Sequence, residues 1–266
     1  MEGTESELLN PLVGAFEAVS LAELEVVKLL NRADTKFVLR TDDLPALLRD
    51  LAADYQILEI GGRRLFAYET VYFDTDDFGL YRLHHNGKPD RLKVRYRQYL
   101  DSGEVFFEMK RKVKNNRTDK HRLLRPVLAQ ELSDDDVALL PDAFAKHFPL
   151  KKKLCVRYQR LTLVNRDRTE RLTLDLNLAY DNFSRSASYP HLVIAELKQN
   201  RASLCGEAAA SLRRHGHRPT RFSKYAVGIA LLEPVKHNNF KPCLLALDKI
   251  STKRQVLSLK SQVLGL

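Results

Sequence analysis

Asp90-Arg-Leu-Lys-Val-Arg-Tyr-Arg-Gln-Tyr99 alternates basic and apolar side chains from Arg91 to Arg97. A strand sends successive side chains to opposite faces, so Arg91, Lys93, Arg95 and Arg97 share one face and Leu92, Val94 and Tyr96 the other. The pattern recurs along the chain. Val105 to Lys112 sets Glu108, Lys110 and Lys112 against Val105, Phe107 and Met109. Glu170 to Tyr180 sets Arg171, Thr173, Asp175 and Asn177 against Leu172, Leu174, Leu176 and Leu178. Leu192 to Asn200 sets Glu196, Lys198 and Asn200 against Val193, Ala195 and Leu197. Further strands are predicted at Thr35–Arg40, Gln56–Ile60, Glu69–Phe73, Leu123–Val127 and Val156–Leu163.

Helices are predicted between these strands. Ser20-Leu-Ala-Glu23 is a capping-box pattern, and Leu21, Leu24, Val27 and Leu29 extend it to about Leu30. Thr41-Asp-Asp followed by Leu44, Leu47, Leu48 and Leu51 predicts a second helix, with Pro45 in its first turn. Ser133 opens a third through Phe144, Ser203 to His215 forms a fourth, and Ser223 caps a last one through Leu232. Gly61-Gly62 predicts a hairpin turn. The expected organisation is an arm over residues 1–18, a folded unit over 19–235, and an extension over 236–266 that packs on that unit or is partly disordered.

The 266 residues carry 44 Lys and Arg against 34 Asp and Glu, a net charge of +10 that points to a polyanionic partner. A hydrophobic share of 44% with 29% charged residues is globular composition and excludes a wholly disordered chain. Cys155, Cys205 and Cys243 are an odd number without CxxC spacing, which argues against a disulfide framework or a zinc site and for a reducing compartment. Nothing in Met1 to Asn10 resembles a secretory signal, and apolar runs such as Ala226 to Leu232 fall far short of the ~20 residues that span a bilayer. A cytoplasmic protein is expected, with room for a membrane-protein partner.

Two arrangements fit the basic faces. Each could meet water while the apolar face packs on a core. Alternatively the strands curl into a barrel, ionic faces inward, with helices covering the apolar outside. The density of Arg and Lys, with single acids such as Glu108 and Glu196 among them, favours the second. Cations ~5–7 Å apart on one face repel, so an enclosed lumen of this kind requires a polyanion. A chain of phosphates supplies it and accepts bidentate Arg hydrogen bonds. No GxxxxGK[ST] or GxGxxG pattern occurs, leaving side chains to hold the phosphates.

An ordered series of motifs then becomes legible: Arg32-Ala-Asp-Thr-Lys36, Val71-Tyr-Phe-Asp-Thr75, Arg95-Tyr-Arg97-Gln-Tyr99, Phe106-Phe-Glu-Met-Lys110 and Lys120-His-Arg122. Arg157-Tyr-Gln-Arg160, Arg171-Leu-Thr-Leu-Asp175, Ile194-Ala-Glu-Leu-Lys198 and Arg221-Phe-Ser-Lys-Tyr225 follow. Over roughly residues 20 to 232 the series resembles the VTC domain (vacuolar transporter chaperone type) of polyphosphate polymerases, in the triphosphate tunnel metalloenzyme superfamily. The resemblance implies an α+β fold: an antiparallel eight-stranded β-barrel tunnel with a basic lumen and helices outside. It implies transfer of the ATP γ-phosphate to a growing inorganic polyphosphate chain, with Mn²⁺ or Mg²⁺ as cofactor.

Carried over residue by residue, Lys36, Arg95, Arg97, Lys110, Arg160, Arg171, Lys198 and Lys224 would act on the transferred phosphates. Arg32, Lys93, Lys112, Lys120, Arg122 and Arg221 would bind the chain, and Glu196 would hold the metal. Arg157 is a further candidate base and Glu108 a further candidate acid. Asp34-Thr-Lys36 stands where hydrolytic relatives carry a Glu-x-Glu-x-Lys strand, which reads against simple hydrolysis. The alternatives are a tripolyphosphatase or nucleoside triphosphatase of the same fold, and a non-catalytic polyphosphate-binding module. No specific nucleic-acid partner is expected, since no helix-turn-helix or RNP strand is present. A salt bridge to Lys198 is the plain structural alternative for Glu196, and His84, His85, His215 and His217 read as loop or helix-end residues.

Overall fold

Strand β8 (Lys151–Asn165) is the longest, and its 15 residues pair with three neighbours. The computed structural model describes residues 10–26, 32–113, 118–145, 149–200 and 206–250. The other strands are β1 (Glu17–Val19), β2 (Arg32–Arg40), β3 (Tyr55–Leu58), β4 (Phe66–Asp74), β5 (Arg91–Tyr99), β6 (Val105–Lys112), β7 (Thr118–Arg125), β9 (Glu170–Asp181), β10 (Ser186–Tyr189) and β11 (Leu192–Asn200). Eight run in the order β2-β11-β9-β8-β4-β5-β6-β7, each antiparallel to its neighbours. β3 adds to β8, β1 pairs parallel with β3, and β10 adds to β9, giving eleven strands.

The eight strands do not close into the expected barrel. Among the described residues β2 and β7 do not pair, so the sheet is an open curl. The reason lies in the edges. Seven of the eight β7 residues are exposed and Arg125 is half-buried, so no apolar burial draws this strand toward a second neighbour. The two edges also carry like charge, Lys120 and Arg122 on β7 and Lys36 on β2, and like charges opposed across strands destabilise.

The convex face is apolar and covered by helices. Phe37, Leu39, Leu161, Leu172 and Leu174 pack with the Leu44–Leu51 and Glu207–Arg214 helices. Val94, Tyr96, Phe107 and Met109 pack with Leu140 and Phe144. The expected third helix is two pieces, Asp134–Ala138 and Asp142–Ala145, because Pro141 supplies no N–H and disfavours helical backbone before it. The Ser20–Glu23 box forms as expected, with Glu23 accepting the Ser20 N–H at 2.9 Å. Residues 27–30 of its helix and 203–205 of the fourth lie outside the described residues. A helix at Gly79–His85, not expected from the sequence, has its Gly79 N–H held by Thr75 Oγ1 at 2.6 Å and its Leu80 and Tyr81 N–H groups by Asp74, six and seven residues earlier. The 1–18 segment is not a loose arm at its end, since Phe16 is buried and β1 docks on β3. In the 236–266 extension, residues 241–250 are helical and bury Cys243 and Leu247.

Candidate functional site

The concave face divides into two halves. Toward the Asp181 end of β9, its residues Tyr72, Leu154, Val156, Tyr180 and Ile194 are apolar or aromatic and pack against the Lys224–Leu232 helix, which fills that half. Gly228 permits the approach: a Cβ there would lie 2.5 Å from the Tyr180 ring and 2.6 Å from Leu154. Ser223 caps this helix by accepting the Ala226 N–H at 3.3 Å, as its sequence predicts. The other half is ionic.

Register places the ionic side chains. Across β11 and its neighbours, Glu196 stands opposite Lys36 and Thr173, and Lys198 opposite Asp34 and Arg171. Across β5, β6 and β7, Arg95 stands opposite Glu108 and Glu108 opposite Arg122, with Lys93, Lys110 and Lys120 in the next row. The sheet curls enough that Lys110 of β6 feels Lys36 and Asp34 of β2 and Glu196 of β11. Residues 220–224 bridge the gap between these groups. Lys36 Nζ donates to the Phe222 carbonyl at 3.0 Å, Lys93 Nζ to Ser223 Oγ at 2.9 Å, and the Thr220 N–H to the Lys36 carbonyl at 2.7 Å.

Besides Asp34, three acids are set among these cations. Asp175 is fully buried, takes a bidentate pair from Arg160 at 2.6 and 2.9 Å, and pairs with Lys224. Glu108 accepts from Arg95 Nε at 2.6 Å, with Arg97 and Arg122 each 3.7 Å away. Glu196 lies 3.3 Å from Lys198 Nζ. Burial alone would raise all three carboxyl pKa values, yet all lie below the usual range because the neighbouring cations outweigh it. The Tyr158 phenol reports the same field: burial would raise it, but Arg97, Arg160 and Lys224 hold it down. Lys93 is held well below the ordinary lysine range by burial and then by Lys36, Lys110 and Arg95. Arg97 Nε is buried without a hydrogen-bond partner among the described residues. This surface is short of negative charge.

The expected residues fall into three groups. Lys36, Lys93, Arg95, Arg97, Lys110, Lys120, Arg122, Arg160, Arg171, Glu196 and Lys198 share the concave face by register, joined by Lys224 through Asp175. Lys112 stands opposite Arg91 and Thr118 at the end of this face, and exposed Arg221 lies within electrostatic reach of Arg91. Arg32 is placed by register alone, opposite Asn200. Arg157 has the opposite strand parity and pairs with Glu69 at 2.6 Å on the outside, so it does not join the site. Glu108 is committed to three arginines. Asp175, Tyr68 and Tyr158 were not singled out from sequence, although strand parity with Arg171 and Arg160 places Asp175 and Tyr158 on the same face. His84 and His85 end the Gly79–His85 helix, and His215 and His217 follow the Glu207–Arg214 helix.

The VTC domain model matches residues 31–233, most of the chain. The chain belongs to the VTC domain family. Membership implies substrates of the polyphosphate or triphosphate type. No curated protein matches this VTC chain. Among solved structures it is similar to a putative adenylyl cyclase from Hippeastrum described as having a dominant triphosphatase activity, at 16% identity over 77% of this chain and 99% of that one, TM-score 0.46. A putative adenylate cyclase from Vibrio parahaemolyticus matches at 12% identity over 74% and 97% of the two chains, TM-score 0.44. A protein from Pyrococcus horikoshii matches at 15% identity over 75% and 98%, TM-score 0.41. Among the described residues no helix of the VTC chain is long and apolar enough to cross a membrane.

A divalent metal is what the resemblance implies, and the donor set here fits one only in company. Among the described residues no group of three or more His, Cys, Asp or Glu side chains could hold a metal. Glu196 is ionised and inward, but Lys36, Lys198, Arg160 and Lys224 would repel a bare dication. A hard cation bound through one carboxylate and several phosphate oxygens satisfies both facts.

Proposed function

We propose that this VTC domain is an ATP-dependent polyphosphate polymerase working on the ionic half of its concave face. The observation that carries the reading is the convergence of Lys and Arg from β2, β5, β6, β7, β8, β9 and β11, with Lys224, around four acids, Asp34, Glu108, Asp175 and Glu196, too few to neutralise them. Mutual repulsion makes such a surface costly unless an extended polyanion completes it. The open seam between β2 and β7 lets a long chain lie along the face without threading.

Phosphoryl transfer asks the protein mainly for alignment and charge neutralisation. Lys36, Arg95, Arg97, Lys110, Arg160, Arg171, Lys198 and Lys224 hold donor and acceptor phosphates in line. Arg32, Lys93, Lys112, Lys120, Arg122 and Arg221 extend the hold along the chain. A terminal phosphate oxygen of the acceptor attacks the γ-phosphorus, the bond between that phosphorus and the β,γ-bridging oxygen breaks, and ADP leaves. The acceptor oxygen is already ionised at neutral pH, so no general base is needed. Glu196 would hold Mn²⁺ or Mg²⁺ with the phosphates, where the cation offsets charge on their oxygens.

Incubation with ATP and Mn²⁺ tests the reading. Long polyphosphate on a gel is the expected product, and release of free phosphate alone would assign a hydrolase instead. Glu196→Gln is expected to remove metal-dependent turnover while polyphosphate binding survives. Full activity in that variant would reject the metal role.

A further inference from the structure

Four rings form a belt across consecutive strands of the concave face. Phe106 of β6 meets Tyr99 of β5 with centroids 5.7 Å apart, and Tyr99 meets Tyr68 of β4 at 4.9 Å. Tyr68 stacks on Tyr158 of β8 at 5.1 Å with parallel planes. Tyr68 and Tyr158 are buried, whereas Phe106 and Tyr99 are only half-buried, so the belt opens at the β6 side. There Leu124 of β7, opposite Phe106, is 63% exposed.

These positions break the rule of their own strands. Phe106 shares its face with Glu108, Lys110 and Lys112, and Leu124 shares its face with Arg122 and Lys120. Two apolar side chains thus stand on an ionic face, outside the apolar clusters of the core. The Arg122 guanidinium lies 3.6 Å from the Phe106 centroid and donates to the Tyr99 hydroxyl at 2.9 Å. Arg97, with its unpartnered buried Nε, stands directly opposite Phe106. A flat π surface and a guanidinium plane therefore adjoin a phosphate-seeking arginine.

Inorganic polyphosphate has no apolar part and no use for a ring. A nucleotide does. We infer that Phe106, Tyr99 and Arg122 form a nucleobase subsite for a nucleoside triphosphate, the base stacking on the Phe106 face that the Arg122 guanidinium covers at 3.6 Å while Arg122 and Arg97 turn to the adjoining phosphates. The inference rests on the proposed reading in that the donor is a nucleoside triphosphate. Stacking reads a π-face rather than a base edge, so ATP and GTP bind alike.

Calorimetry on the full chain with ATP, GTP and inorganic tripolyphosphate tests it. Phe106→Ala is expected to weaken ATP and GTP by about 10-fold, a typical loss for one base stack, and tripolyphosphate by less than about 2-fold. Phe106→Tyr is expected to restore nucleotide affinity. Retained tripolyphosphate binding shows that the variant is folded. Equal losses for all three ligands, or unchanged nucleotide affinity, would overturn the subsite. So would an unmutated chain that binds tripolyphosphate but not ATP, and that outcome would remove the ATP donor as well. A selective nucleotide loss in a protein that makes no polyphosphate keeps the subsite and rejects only the polymerase.

Discussion

Lys198 shows how a single side chain is tuned by its surroundings. Burial presses its pKa down to about 8, Glu196 at 3.3 Å opposes that, and Arg160 and Arg171 add to it. In the unliganded protein the ammonium therefore loses its proton as pH rises through about 8. A bound polyphosphate favours the charged form and raises this pKa. Binding should then take up a proton through Lys198 just above pH 8, and its contribution to tripolyphosphate affinity, full below that pH, should be lost as pH rises through it. Titration calorimetry in buffers of different ionisation enthalpy measures the uptake, and Lys198→Met should reduce it, leaving the share of Lys93, whose pKa is also held down. An uptake near pH 8 unchanged in the variant would assign the proton to another group. The lysine itself was visible in the strand alternation of Leu192 to Asn200. Its pKa was not, because that depends on Arg160 and Arg171 from two other strands.

Among the elements, the Lys224–Leu232 helix sets the depth of the site. Its mean apolarity and its Ser223 cap are plain in the chain, but an all-round apolar nine-residue helix does not say what it packs on. Only the pairing of β8 with β4 and β9 brings Leu154, Tyr72 and Tyr180 together on the concave side to receive it. Gly228→Val forces a side chain into the Tyr180 and Leu154 contact, and overpacking of this kind costs roughly 1–3 kcal/mol. Urea denaturation should show that loss, and an unchanged midpoint would mean that the helix is not wedged there. The Gly79–His85 helix makes the complementary point. Its Leu80 and Tyr81 N–H groups are held by a carboxylate too far back in sequence for a local capping rule to find.

At the level of the whole molecule, the ionic half of the face is built to be completed. Cations from strands distant in the sheet order face one another there, and their repulsion burdens the folded state until an anion arrives. Tripolyphosphate at about 100 times its Kd should stabilise the fold by about 2.7 kcal/mol, read as a rise in Tm. High neutral salt should shrink the rise by screening. A Tm indifferent to tripolyphosphate would mean that the cations serve no common ligand. The sheet's openness belongs to this scale too, for β2 and β7 are separated by six strands in pairing order, and the curl of the whole sheet acts together with their own charged edges.

Strand alternation determined which side chains share a face as far as the β9 bulge, where Asn177 has a positive φ and Leu178, expected beside Leu176, crosses with Tyr180 to the concave side. It also determined the caps at Ser20 and Ser223, since those hydrogen bonds span three residues. The tertiary structure decided which way the faces turn, that the curl stays open, and that Asp175 holds Arg160 and Lys224 together. Each of those depends on long-range pairing and bulges, such as the register shift between Arg157 and Gln159, and local sequence does not encode a neighbour many residues distant.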